Sequence, residues 1–254
     1  MRTADWTDSV SVLDRVTAVF DAFGEDDEGL GVSELARRAN LPKSTVSRIA
    51  ADLVGQRFLE RDGDKFTLGV RLFELAITVE EPRRLRHLAL PVMTELREVT
   101  GRAVNLAVLE GPDVVFLMTV RADPAEAPSA RVGGRLPAYA TALGKAILAF
   151  SPPAAVERVI EGGLHPRTRW TISDASEFRR ELTGIRRLGV ATEKEECVLG
   201  RACVASPVLG PGGVPIAAIS VAGSAASVVP ERMASAVRAA GITLGRRIEA
   251  SRTD

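Results

Sequence analysis

The chain is poor in the residues that make covalent or metal-bound chemistry. It has two cysteines, Cys197 and Cys203, in 254 residues, too few for a disulfide framework. Two histidines, His87 and His165, stand far apart in sequence, which argues against a zinc site or any other metal site. No apolar run is long enough to cross a bilayer, and the opening MRTADWTDSV has no apolar signal-peptide core, so a cytoplasmic protein is expected. Net charge is also missing: 33 basic residues balance 33 acidic ones. Generic affinity for nucleic acid is therefore not expected, and any DNA contact must come from a local patch.

What is present suits a globular protein. Hydrophobic residues make up 46% and charged ones 26%, enough for sizeable cores in one large or two ordinary domains. The most informative stretch is VSELARRANLPKSTVSRIAADL, residues 32–53. Val32, Leu35, Ala36 and Ala39 mark one helical face, and Val46, Ile49, Ala50 and Leu53 mark a second. Asn40-Leu41-Pro42 separates them, because proline lacks the N–H donor and disfavours a helical residue before it. The polar residues of the second helix gather at its start: Lys43, Ser44, Thr45, Ser47 and Arg48. That is the layout of a helix-turn-helix, whose second helix offers its N-terminal side chains to the major groove. An αα-hairpin with a solvated face has the same periodicity. Arg37 and Arg38 extend the expected basic patch.

An amphipathic helix over residues 10–23 precedes this stretch, after a loose, polar segment 1–9. The acidic loop GEDDEG, residues 24–29, would repel phosphate and belongs away from DNA. After the helices, residues 58–61 and 65–68 read as two strands around the turn Asp62-Gly63-Asp64. This makes the unit a winged helix, with Arg61 and Lys65 placed to touch the phosphate backbone or to serve as plain surface charge. A helical stretch 69–79 leads to Glu80-Glu81-Pro82, and a helix 83–99 follows, with Pro91 either kinking it or marking its start.

From Gly101 the pattern changes. Strands are expected at 104–109 and 114–120, an extended piece at 131–136 after the loop 121–130, and further strands at 190–192, 202–207 and 216–223. Helices are expected at 141–150, from an N-capping Ser173 to Leu188 with Gly189 just past the end, and at 230–250. The second half is thus an α+β domain with an antiparallel sheet.

Three stretches together resemble the IclR family of bacterial transcriptional regulators. They are LPKSTVSRIAADLVGQRFLERDGDKFTLGVRL, GGRLPAYATALGKAILA and LGVATEKEECVLGRACVASPVLGPGGVPIAAISVAGS, in this order, and the resemblance runs from Ser9 to about Arg247. It implies a winged helix-turn-helix domain over residues 1–68, a linker helix over 69–81 and a GAF-like effector-binding domain over 82–254. It also implies a homodimer, often a homotetramer, on a palindromic double-stranded operator, paired largely through the N-terminal domain. Carried over position by position, its effector pocket falls on Ala142, Leu143 and Gly144, on Glu193, on Cys203 and on Ser220. No cofactor is implied.

The residues also make chemical sense at those positions. A helix starting beside Thr141 exposes backbone N–H groups suited to an anion, and Cys203 and Ser220 place small polar groups in apolar strands. Each has an ordinary alternative: a buried free cysteine, a serine bonded to its own backbone, and a solvated charge run for Glu193 in EKEE. Leu143, Cys203, Ile219 and Val221 supply apolar wall, although strand alternation lets only some face inward. Three positions depart from the usual pattern: Glu193 for aspartate, Ala222 for a second serine, and Tyr139 for histidine. A small acid with an apolar or aromatic body is the expected effector. If Glu193 points inward, a ligand with a hydrogen-bond donor fits better.

Two other functions deserve weighing. Cys197 and Cys203 could make a thiol-based redox sensor, with Arg201 favouring a thiolate and Glu195 and Glu196 opposing it. A hydrolase with Cys203 as nucleophile would need His87 or His165 as base, and neither belongs to the pocket segments. ALGK lacks the glycine and Ser/Thr spacing of a phosphate loop, which sets nucleotide hydrolysis aside. The sequence therefore points to a regulator, not an enzyme.

Overall fold

The computed structural model describes residues 11–24, 27–122 and 131–251. The expected loose segment 1–9, most of the loop 121–130 and the centre of the acidic loop lie outside the described residues. The chain divides into two compact units, residues 1–80 and 81–254.

In the first unit, α1 (Val12–Asp21) is fixed at its start by a capping box. Ser11 Oγ takes the Asp14 N–H at 3.0 Å, and the Asp14 carboxylate takes the Ser11 N–H at 2.9 Å. Helix α2 (Val32–Arg38) ends where Asn40 turns left-handed at φ 52°, a conformation asparagine tolerates better than most residues. Helix α3 (Lys43–Gly55) then opens directly after Pro42. Its buried stripe is the expected one, Val46, Ile49, Ala50 and Leu53, packed on Val19, Leu35 and Leu59.

The wing has one strand more than the sequence suggested. β2 (Leu59–Asp62) and β3 (Lys65–Leu68) form the hairpin, turned by Gly63 at φ 57°. β1 (Leu30–Gly31) adds a third strand, with Leu30 opposite Phe66 and both buried. Two residues are too few for any periodicity, so only the pairing defines this strand. Helix α4 (Val70–Ala76) follows and buries none of its residues.

In the second unit, α5 (Glu80–Thr100) runs through Pro91 without starting there. Strands β4 (Ala103–Glu110), β5 (Asp113–Val120), β6 (Arg135–Pro137), β7 (Ala191–Lys194), β8 (Arg201–Leu209) and β9 (Pro215–Ser224) form one antiparallel sheet in the order β6-β5-β4-β9-β8-β7. Alternation sends Val104, Leu106, Val204, Ile219 and Val221 to one face, against α5 and α9 (Pro230–Ala250). Ile219 and Val221 are therefore core residues and do not line the pocket. The other face carries α6 (Ala142–Leu148), α7 (Pro153–Glu161) and α8 (Ala175–Leu188). Asp174, not Ser173, caps α8, accepting the Glu177 N–H at 2.8 Å, while Gly189 closes the helix at φ 73°. Ser173 instead turns its hydroxyl to the Thr171 carbonyl.

Candidate DNA interface and effector cavity

At the start of α3, Lys43, Ser44, Ser47 and Arg48 are exposed and Thr45 is half-buried. They lie on the face opposite the buried stripe, where side chains reach away from the core. Arg61 and Lys65 are exposed on the wing, but Arg61 folds back: its Nε donates to the Gly63 carbonyl at 2.9 Å, and its guanidinium lies 5.7 Å from the centre of the Phe66 ring. The basic patch is narrower than the sequence implied. Arg37 bonds Glu34, and Arg38 bonds both Glu34 and Asp27. Those two guanidiniums, Arg37 foremost, hold the Glu34 carboxyl at about 2. The positive charge left at the tip of α3 comes from Lys43 and Arg48.

The second site is a cavity between α6 and the sheet, with about 460 Å³ of atom-free space, its open mouth included. Five of the six expected pocket residues line it: Ala142, Leu143, Glu193, Cys203 and Ser220. Gly144 does not. Its place is structural, because a Cβ there would stand 2.2 Å from the Ala138 carbonyl oxygen, so only glycine lets α6 sit this close. Thr141 caps the helix by accepting the Gly144 N–H at 3.1 Å.

The cavity also takes residues that sequence reasoning missed: Asn105, Phe116 and Leu136 on β4–β6, and Cys197, Val198 and Arg201 near the turn before β8. Cross-strand register gathers them. Asn105 stands opposite Ser220, Ser220 opposite Ala205, and Cys203 between Glu193 and Ala222. One signal was visible beforehand: Arg201 and Cys203 share a parity and therefore a face of one strand.

Polar groups punctuate these apolar walls. Asn105 is buried and accepts the Thr119 hydroxyl at 2.9 Å. Ser220 has no exposed surface, and its hydroxyl makes no hydrogen bond of good geometry among the described residues. The Cys203 thiol is the polar group beside it, and a buried hydroxyl so weakly bonded favours a polar group on a ligand. Ala222 adds no hydroxyl beside it.

Glu193 is buried, not part of a solvated charge run. Its Oε1 accepts the N–H groups of Glu196 at 2.8 Å and Cys197 at 3.3 Å. Burial raises its pKa to about 7, against the downward pull of those two amides. Beside it lies a feature the sequence did not announce: Lys145 is wholly buried, with its ammonium 2.7 Å and 3.0 Å from the two Glu196 oxygens and 3.3 Å from Glu181. One turn thus joins the cavity wall to a buried ion pair.

The thiols are not those of a redox sensor. Burial pushes Cys203 up to about 12 and Cys197 up to about 11, with the Glu193 carboxylate adding to both. Both stay protonated near neutrality, where the thiol is a poor nucleophile. No histidine lines the cavity; His165 offers its backbone carbonyl to Tyr139 at 2.8 Å.

Comparison with known proteins agrees with this division of labour. Residues 12–63 match the model of the IclR helix-turn-helix domain, and residues 78–246 match that of the bacterial transcriptional regulator IclR C-terminal domain. The chain is 29% identical over 236 residues to the transcriptional repressor IclR of Escherichia coli K12, covering 91% of this chain and 86% of that one. It is 31% identical over 217 residues to the transcriptional regulator KdgR of the same organism, covering 84% and 82%. Among solved structures, an IclR homologue from Microbacterium hydrocarbonoxydans complexed with 4-hydroxybenzoate aligns with a TM-score of 0.85 at 33% identity, over 94% of this chain and 100% of that one.

Proposed function

Because this chain belongs to the IclR family of bacterial transcriptional regulators, with a DNA-binding and an effector-binding part, we propose that a small organic acid with an apolar or aromatic body sets its affinity for an operator. The observation that carries this reading is the fully buried Ser220 hydroxyl, weakly bonded and set among the apolar residues of the cavity wall. A polar group of the ligand bonds to it, while Phe116, Leu136 and Leu143 receive the body. The cavity binds and does not catalyse.

Residues 1–68 read DNA, 69–81 link, and 82–254 sense. Lys43, Ser44, Thr45, Ser47 and Arg48 approach the major groove, and Lys65 and Arg61 approach phosphates from the wing. The working species is a cytoplasmic homodimer on a palindromic site, since one helix-turn-helix spans only a half-site. The surface supports pairing: Val70, Phe73 and Leu75 of α4 are all exposed, with Leu68, Ile77 and Val79 alongside. An apolar strip of that kind on one helix suits a second copy of the chain.

The test is a thermal-shift screen against small carboxylic and aromatic acids, with 4-hydroxybenzoate as the first probe. Ligands of the native state raise its melting temperature by mass action. Hits are then added to gel shifts with the promoter beside the protein's own gene. A hit that stabilises the protein and changes the shift supports the reading. Ligands that stabilise the Ser220→Leu variant equally place the site elsewhere.

A further inference from the structure

We propose that Arg201 is the specificity-determining residue for the acid group: it anchors the effector's carboxylate at the open end of the cavity, with the body of the ligand directed inward. This rests on the cavity being the effector site.

The placement follows from register. Arg201, Cys203 and Ala205 share one face of β8 and stand opposite Ser224, Ala222 and Ser220. Arg201 is therefore four residues along the strand from the Ser220 row, roughly 13 Å at 3.3 Å per residue. The Ser220 end is closed, with Ser220 and Asn105 buried. The Arg201 end is open, because Arg201 is half-buried and Val198 beside it is exposed. A cation thus marks the mouth and hydrogen-bonding groups mark the floor.

The charges around the cavity give the cation its meaning. On β7, Glu193 presents a carboxyl to the same space, and hydrogen bonds from the described residues reach only its Oε1. On α6, Lys145 is held by Glu196 and Glu181, so it offers an incoming anion little. Cys197 and Cys203 stay neutral. Among the described residues that line the cavity, Arg201 is the cation. Five N–H donors let it present two to a carboxylate while keeping other bonds. A ligand anchored there keeps its negative end away from the floor, where the Ser220 hydroxyl and Asn105, with Glu193 in the row between, favour a second, donor-bearing group. The ligand class is a monocarboxylic acid with a hydroxyl on an aromatic or apolar body.

Calorimetry on the full-length protein tests this with 4-hydroxybenzoate and its neutral amide, 4-hydroxybenzamide. Wild type should bind the acid at least tenfold more tightly than the amide. Arg201→Gln should abolish that preference while leaving the amide's affinity within about twofold, and Arg201→Lys should retain part of it. An unchanged acid-to-amide ratio in folded Arg201→Gln, with both ligands lost in Ser220→Leu, overturns the role of the arginine and leaves the cavity assignment standing. If wild type binds neither probe, or prefers the amide, the proposal and the acid reading fall together. If Arg201→Gln melts early, Arg201→Met takes its place: loss of the acid preference with the amide's affinity kept supports the anchor, and an unchanged acid-to-amide ratio overturns it. Loss of both ligands in a folded Arg201 variant assigns the residue to structure and overturns the proposal.

Discussion

The Lys145 ammonium lies 2.7 Å from a Glu196 oxygen, and the Glu196 N–H lies 2.8 Å from a Glu193 oxygen. A fully buried cation, its counter-charge and the cavity's own carboxylate thus share one short turn. Two charges out of water need each other: removing one strands the other, whereas removing both with apolar replacements need not destabilise.

Lys145→Met should therefore lower the stability of the second unit by about 3–5 kcal/mol, the cost of an uncompensated buried charge. Lys145→Met with Glu196→Leu should recover a large part of that loss. Chemical denaturation of the four proteins of this double-mutant cycle measures the coupling. Additive losses would show that the two groups do not depend on each other.

Glu193 gives the stability curve a pH signature. Its folded pKa, about 7, lies above the ordinary 4.5, so the folded chain holds the proton more tightly than the unfolded one. Stability from this group is then full below about pH 4.5 and is lost as pH rises to about 7, by on the order of 3 kcal/mol in all. Glu193→Gln keeps an oxygen for the two loop amides and removes the titration. The stability of Glu193→Gln relative to wild type should rise between pH 5 and pH 8 and level off above. A flat difference across that range would place the carboxyl in water.

Much of this was legible in the sequence, and the rest failed for physical reasons. Val46, Ile49, Ala50 and Leu53 declare α3 because helical periodicity is a local property. Pro230 and Ala250 bound α9 where proline and the end of the stripe put them. Strand β1 stayed invisible because its two residues are defined only by pairing with β3. EKEE read as solvated because the partner that buries Glu196 lies 51 positions earlier, at Lys145. Arg201, Asn105 and Phe116 join the cavity through register across four strands, which no local pattern encodes. Ser173 and Asp174 are both good caps at adjacent positions, and side-chain reach to Glu177 decided between them.

At the DNA, the two cations of the α3 tip should behave differently. Arg48→Ala should weaken operator binding by about 1–3 kcal/mol and blur sequence preference, as loss of a base contact does. Lys43→Ala should weaken all sequences alike and reduce the salt slope by about one, as loss of a phosphate contact does. Fluorescence anisotropy at several salt concentrations, on operator and scrambled DNA, reads both effects. Unchanged affinity in both variants would remove α3 from the groove.

Self-association should depend on α4. Phe73 is 65% exposed on a helix with no buried residue, so its substitution costs the single chain little. Phe73→Glu should raise the monomer fraction in sedimentation at micromolar concentration with the melting profile of the second unit unchanged. A variant that stays as dimeric as wild type would move the interface to another surface.

The most direct measurement is the operator affinity of wild type and Ser220→Leu, each with and without a saturating effector from the acid screen. The account predicts at least a tenfold change in wild-type affinity on adding the effector, and no change in Ser220→Leu, which should still bind DNA as wild type does without ligand. An equal response in the two proteins, or no response in wild type, would contradict the claim that this cavity governs the hold on DNA.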